Sequence, residues 1–168
     1  NERNDICCPQ LRAIDGVNPM DESFVYARSA GITCVCTGPG SANVLGGTFT
    51  AIKTAGTRID DMIVKKEAAM KCAFGENPKR CYASKCDSSR MTTAAILREA
   101  LMKARLYLQK KEAAGDDVFR QPAFDMKFEA LIPVLRGQIP LKAHAHRADD
   151  IFTAIRIAKE FSLDYVLV

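Results

Sequence analysis

Leu141-Lys142-Ala143-His144-Ala145-His146-Arg147-Ala148-Asp149-Asp150-Ile151 joins the end of a strand to the start of a helix, the order from which an α/β fold is built. Residues 140–143 read as a strand, His144-Ala145-His146-Arg147 as its carboxyl end, and residues 148–161 as a helix. Asp149 and Asp150 stand in the first turn of that helix and Lys159 in its last, the charge order that suits a helix macrodipole. Ile151, Phe152, Ile155 and Ala158 are expected to form its buried stripe. After Ser162, residues 165–168 begin another strand, so the segment is β-α-β with a parallel sheet implied.

Upstream, residues 126–136 predict a helix kinked at Pro133, and residues 92–114 a strong amphipathic helix. Ile96, Leu97, Ala100, Leu101, Ala104 and Leu108 lie on one side of the longer helix, with Arg98, Glu99, Lys103, Arg105 and Lys110 opposite. Residues 76–90 are polar and read as loop, and residues 69–74 as a strand ending at Gly75. Two further short strands, residues 48–54 and 62–65, flank the turn Ala55-Gly56-Thr57. Residues 32–36 read as a strand running into a glycine-rich loop, and residues 21–30 as a helix capped by Asp21 and closed by Gly31. Cys34 and Cys36 alternate along that first strand and are expected on one face as buried, reduced thiols. Helices alternating with strands make the fold class α/β.

The chain has 168 residues, 48% of them hydrophobic and 26% charged, the makeup of one soluble globular domain. Its net charge of +4 is too even for a nucleic-acid binder, and Lys65-Lys66 and Lys110-Lys111 are short runs without interleaved aromatics. No apolar stretch approaches the roughly 18 residues of a membrane span, and residues 1–5 lack the hydrophobic region of a signal peptide, so the expected location is the cytoplasm. Seven cysteines cannot all pair within one chain, and no Cys-x-x-Cys is present to begin a zinc knuckle. Gly38-Pro39-Gly40-Ser41-Ala42-Asn43-Val44-Leu45-Gly46-Gly47 lacks the lysine of a P-loop and the helix opening of a dinucleotide fingerprint.

Chemistry-bearing residues gather at two strand ends. The chain's two histidines, His144 and His146, stand where a parallel strand meets its helix, the place where α/β folds put their sites. Arg147 beside them suits a carboxylate or phosphate. Lys71 interrupts an apolar strand and must pair, snorkel or be chemically altered, and Glu76 and Asn77 follow that strand as a polar cluster. Each has a structural alternative: a satisfied histidine, a lysine with its head in water, a solvated arginine.

Leu11-Arg12-Ala13-Ile14-Asp15-Gly16-Val17-Asn18-Pro19, the glycine-rich run from Thr37 onward, Met70-Lys71 with Gly75-Glu76-Asn77-Pro78-Lys79-Arg80, and the stretch around His144 together resemble the imidazolonepropionase-like and prolidase-like branch of the amidohydrolase superfamily. The resemblance spans nearly the whole chain. It implies a (β/α)8 TIM-like barrel that hydrolyses an amide or cyclic amide carbon–nitrogen bond with a metal-activated water, using one or two divalent ions, zinc by expectation. It makes His144 the fifth-strand metal ligand and Lys71 the metal-bridging lysine, carried as a carbamate, with Glu76 as the fallback. His146, Arg147, Glu76, Asn77, Lys79, Gly46 and Gly47 are then expected to face the substrate or brace the ligands. Dipeptides, imidazolones and lactams are all compatible small-molecule substrates.

The departures from the family pattern shape the expected domain organisation. No His-x-His precedes the second strand, the sixth-strand histidine would follow Val168, and an eighth-strand aspartate is absent. A barrel of this kind takes about 250 residues. Residues 1–168 are therefore read as the central part of the barrel, about strands two to six, inactive alone and expected to self-associate or to meet the missing segments. The other reading is a complete small α/β module that binds an anionic ligand with residues 38–47.

Overall fold

The computed structural model describes residues 2–85 and 88–168, which leaves Cys86 and Asp87, within the expected 76–90 loop, outside the described residues. One five-stranded sheet is formed by β1 (Cys34–Thr37), β2 (Leu45–Lys53), β3 (Ile63–Ala73), β4 (Leu141–His144) and β5 (Tyr165–Leu167), in that spatial order. Connection length decides the direction of each pair. Residues 38–44 and 54–62 are too few for a crossover of about a dozen residues, so β1, β2 and β3 are antiparallel neighbours. Residues 74–140 carry α3 (Glu76–Cys81), α4 (Arg90–Ala114) and α5 (Met126–Leu135), and residues 145–164 carry α6 (Ala148–Phe161), so β3, β4 and β5 run parallel. The sheet curls like part of a barrel wall, compatible with a partial TIM-like barrel. The closing β-α-β unit forms as the sequence implied, whereas the strands before it make an antiparallel meander.

Helix ends follow their caps. Asp21 accepts the Ser23 N–H at the start of α1 (Glu22–Ser29), and Ser89 and Thr92 cap α4 reciprocally, starting it two residues before the apolar pattern does. Elsewhere local reading is corrected. The two strands expected at residues 62–65 and 69–74 are one continuous β3, because both faces of the strand are exposed around Lys65 and Lys66 and neither lysine needs burial. Short α2 (Ile59–Met62) precedes it, Leu45-Gly46-Gly47 opens β2 rather than ending a loop, and α3 forms within the expected loop.

Leu97, Leu101 and Ala104 of α4 are fully buried against Met70 and Cys72 of β3, Leu141 and Ala143 of β4, and Ile157 and Phe161 of α6. Each such aliphatic side chain contributes about 1.5–3 kcal/mol by leaving water. The stripe of α6 matches the expected one only in part: Ala158 is buried as expected, but its buried companions are Asp150, Ala154, Ile157 and Phe161, while Ile151 and Ile155 are half-buried and Phe152 points outward, 63% exposed. Cys34 and Cys36 do share a face, but it is the solvent face, because Val35 between them turns toward the small cluster of Phe24, Ile52 and Met62. No helix among the described residues is long and apolar enough to cross a membrane.

Candidate active site

The sheet has two unlike faces near its parallel strands. Met70 and Cys72 of β3 and Leu141 and Ala143 of β4 point at the helices, which leaves Lys71, Ala73, Lys142 and His144 on the opposite face. The register pairs Lys71 with Lys142 and Ala73 with His144, so Lys71 and His144 are same-face neighbours one strand apart. Because β2 runs against β3, its first residues lie at the carboxyl ends of β3 and β4. Leu45 pairs with Cys72 and Gly47 with Lys71. The residues singled out in three distant parts of the sequence thus meet at one end of the sheet, the end that carries sites in parallel α/β folds.

Lys71 is 3% exposed and makes no hydrogen bond or ion pair among the described residues. Burial, with the charge of Lys142 added, lowers its pKa from 10.5 to about 8. A Cβ on Gly46 would meet the Lys71 Cγ at 3.5 Å, an ordinary contact distance, so the β2 backbone runs directly beside the lysine stem. Gly47 has a φ of +105°, and a side chain there would overlap the Leu11 carbonyl oxygen, which accepts the Thr48 N–H.

Two polar groups converge on one imidazole nitrogen, that of His144. His144 Nε2 is 3.0 Å from His146 Nε2, the two rings standing edge to face with centroids 4.5 Å apart. Asn77 Nδ2, at the start of α3, is 3.0 Å from the same His144 atom. Burial, followed by the charges of Lys71 and His146, holds the His144 pKa below its ordinary value and favours the neutral ring. His146, past the end of β4, is exposed and reaches back to His144.

The remaining expected site residues are placed differently. Arg147 turns to Asp149, with its Nε and a terminal nitrogen 3.0 and 3.3 Å from the two carboxylate oxygens. Glu76 reaches Arg90 at 3.4 Å and Lys79 is exposed on α3. Two residues that the sequence gave no reason to single out are close by. Asp150 is 4% exposed and accepts a hydrogen bond from Arg90 Nε at 2.8 Å. In the sequence, Asp149 and Asp150 are equivalent first-turn carboxylates; only the phase of α6 separates the outward one from the buried one.

A divalent metal is the group the sequence resemblance implies, and the donor set can be tested against it. A neutral-leaning imidazole beside a buried lysine without a counter-ion suits the pair of ligands that the resemblance implies. No group of three or more His, Cys, Asp or Glu side chains that could hold a metal occurs among the described residues, so the fit is to part of a ligand set. Beside Gly46 opens a cleft of about 560 Å³, bordered by Leu11, Arg12, Thr37, Gly38 and Pro39.

No protein-family profile matches the chain. It is 30% identical over 182 residues to amidohydrolase tasK of Hapsidospora irregularis, an alignment covering 96% of this chain and 19% of that protein. It is also similar to a crystal structure of an amidohydrolase from Thermotoga maritima MSB8, with a TM-score of 0.95 and 44% identity over 99% of this chain and 44% of that one. The chain spans less than half the length of either relative. Both likenesses support the amidohydrolase family.

Proposed function

We propose that this chain contributes the central part of a metal-dependent amidohydrolase barrel that cleaves an amide or cyclic amide carbon–nitrogen bond, with further ligands supplied by the parts of the longer relatives that it does not span. The observation that carries this is the meeting of His144, His146 and Asn77 at one nitrogen, on the same sheet face as buried Lys71. The names of the relatives supply the reaction class.

His144 and a carbamylated Lys71 would hold a divalent ion, zinc by preference, whose chemistry is to acidify a water and polarise the scissile carbonyl. Lys71 is suited to its part because a pKa of about 8 leaves a fraction of the amine uncharged near neutral pH. The uncharged nitrogen attacks carbon dioxide, an N–C bond forms, one amine proton leaves to solvent, and the product is an anionic oxygen donor. Burial then keeps the new carboxylate away from competing water. His146 and Asn77 bound the space beside His144. Two of the four glycines in residues 38–47 are explained by close packing: side chains at Gly38 and Gly47 would overlap Phe49 and Leu11.

Metal content tests this. The full-length protein is expected to retain one or two divalent ions through dialysis, to lose them on His144→Ala and to hold less on Lys71→Ala. Stoichiometric metal untouched by both changes, measured by plasma mass spectrometry, would sink the assignment.

A further inference from the structure

We propose that the loop joining α4 to α5 is a self-docking surface, through which two copies of this protein associate about a two-fold axis. Residues 115–125 hold Val118, Phe119 and Phe124 in water, and Met126 follows at the start of α5. Each of the four is at least 60% exposed, and Phe119 is fully so. Single apolar residues are ordinary on a surface, but four within nine positions make a patch of the kind that marks an interaction site. Phe119 and Phe124 belong to none of the apolar clusters among the described residues, so the fold itself makes no use of them.

The loop is braced by its own hydrogen bonds. Asp117 accepts the Phe119 N–H on its side chain at 3.0 Å and the Arg120 N–H on its carbonyl at 3.1 Å. Gln121 Nε2 donates to the Gly115 carbonyl at 2.6 Å, and Asp125 accepts the Lys127 and Phe128 N–H groups at 2.8 and 3.1 Å, which caps α5. Aromatic side chains presented on a braced loop lose little freedom on docking, which suits them as interface anchors.

Charge indicates what covers the patch. Three aspartates against one arginine make the loop net acidic, which turns away nucleic acid and anionic lipid. Asp117 and Asp125 spend their carboxylates on the N–H groups named above. That leaves Asp116 and Arg120, both exposed and without an ion pair among the described residues, one acid and one base beside the same apolar patch. Such a surface is complementary to itself: a two-fold axis turns each copy's Arg120 toward the acidic side of the other. The 25 residues of α4, which starts where Arg90 meets Asp150, span about 37 Å, so the loop begins far from His144.

Sedimentation velocity of the full-length protein tests this. Wild type is expected to associate as concentration rises, and Phe119→Ser combined with Phe124→Ser to raise the dissociation constant about thirty-fold or more. Both side chains lie in water, so the circular dichroism of the monomer should not change. Arg120→Asp and Asp116→Arg should each weaken association, because like charges then face one another across the axis. An equimolar mixture of those two variants should recover wild-type affinity, which a merely structural role of either residue would not produce. Wild type that stays monomeric overturns the proposal, and so does association that survives the paired phenylalanine changes, as pairing of open strand edges would. A mixture no tighter than its components overturns it as well. Monomeric protein that sediments with phosphatidylglycerol vesicles until Phe119 is changed assigns the loop to a lipid surface instead.

Discussion

Lys71 is the residue on which the most physical consequences converge. Its pKa of about 8 lies below the ordinary 10.5, so between those values the folded protein holds fewer protons than the unfolded chain. Stability should therefore rise with pH across that window, and below pH 8 the full cost of the buried charge should be present. Lys71→Met is expected to stabilise the protein at pH 7 by on the order of 1–3 kcal/mol, an advantage that shrinks toward pH 10.5. Urea midpoints of both proteins at several pH values in CO₂-free buffer check this; an advantage that is constant with pH would show that Lys71 is not desolvated. An apolar strand interrupted by one lysine already marks this position in the sequence. His144 is equally legible, from its place at the carboxyl end of a strand. Asp150 and Arg90 were not, because their pairing joins helix starts sixty positions apart and depends on a helix phase that composition does not reveal.

Among the elements, α4 and α6 show what periodicity can and cannot deliver. In α4 the apolar positions are numerous enough to fix the phase, and Leu97, Leu101 and Ala104 are buried as expected. In α6 the pull of Phe152 and Ile155 on the expected stripe is misleading, since Ala154 and Ile157 face the core and Phe152 faces out. Leu101→Ala should cost about 2–5 kcal/mol in denaturant unfolding, while Phe152→Ser should stay within about 0.5 kcal/mol. A larger loss for Phe152→Ser than for Leu101→Ala would reverse this packing. Cys34 and Cys36 follow the same logic in β1: alternation assigns them a common face, but which face is buried depends on the cluster under Val35.

At the scale of the molecule, chain connectivity governs what the site can be. The parallel unit of β3, β4 and β5 could be read from the long helical connections, and it brings Lys71 and His144 together. The antiparallel turn of β1 and β2 was legible only in the shortness of residues 38–44 and 54–62, yet it returns Gly46 and Gly47 to the same end of the sheet. This end of the sheet, with Lys71 and His144 on one face, is proposed as the metal centre. Anomalous diffraction at the zinc edge from crystals of the full-length protein tests it most directly. The expected result is a peak about 2.0–2.1 Å from the His144 imidazole and about 2.0–2.2 Å from a carbamate oxygen on Lys71. A fully occupied metal bound away from both residues, or an unmodified Lys71 with no anomalous peak beside His144, would contradict it.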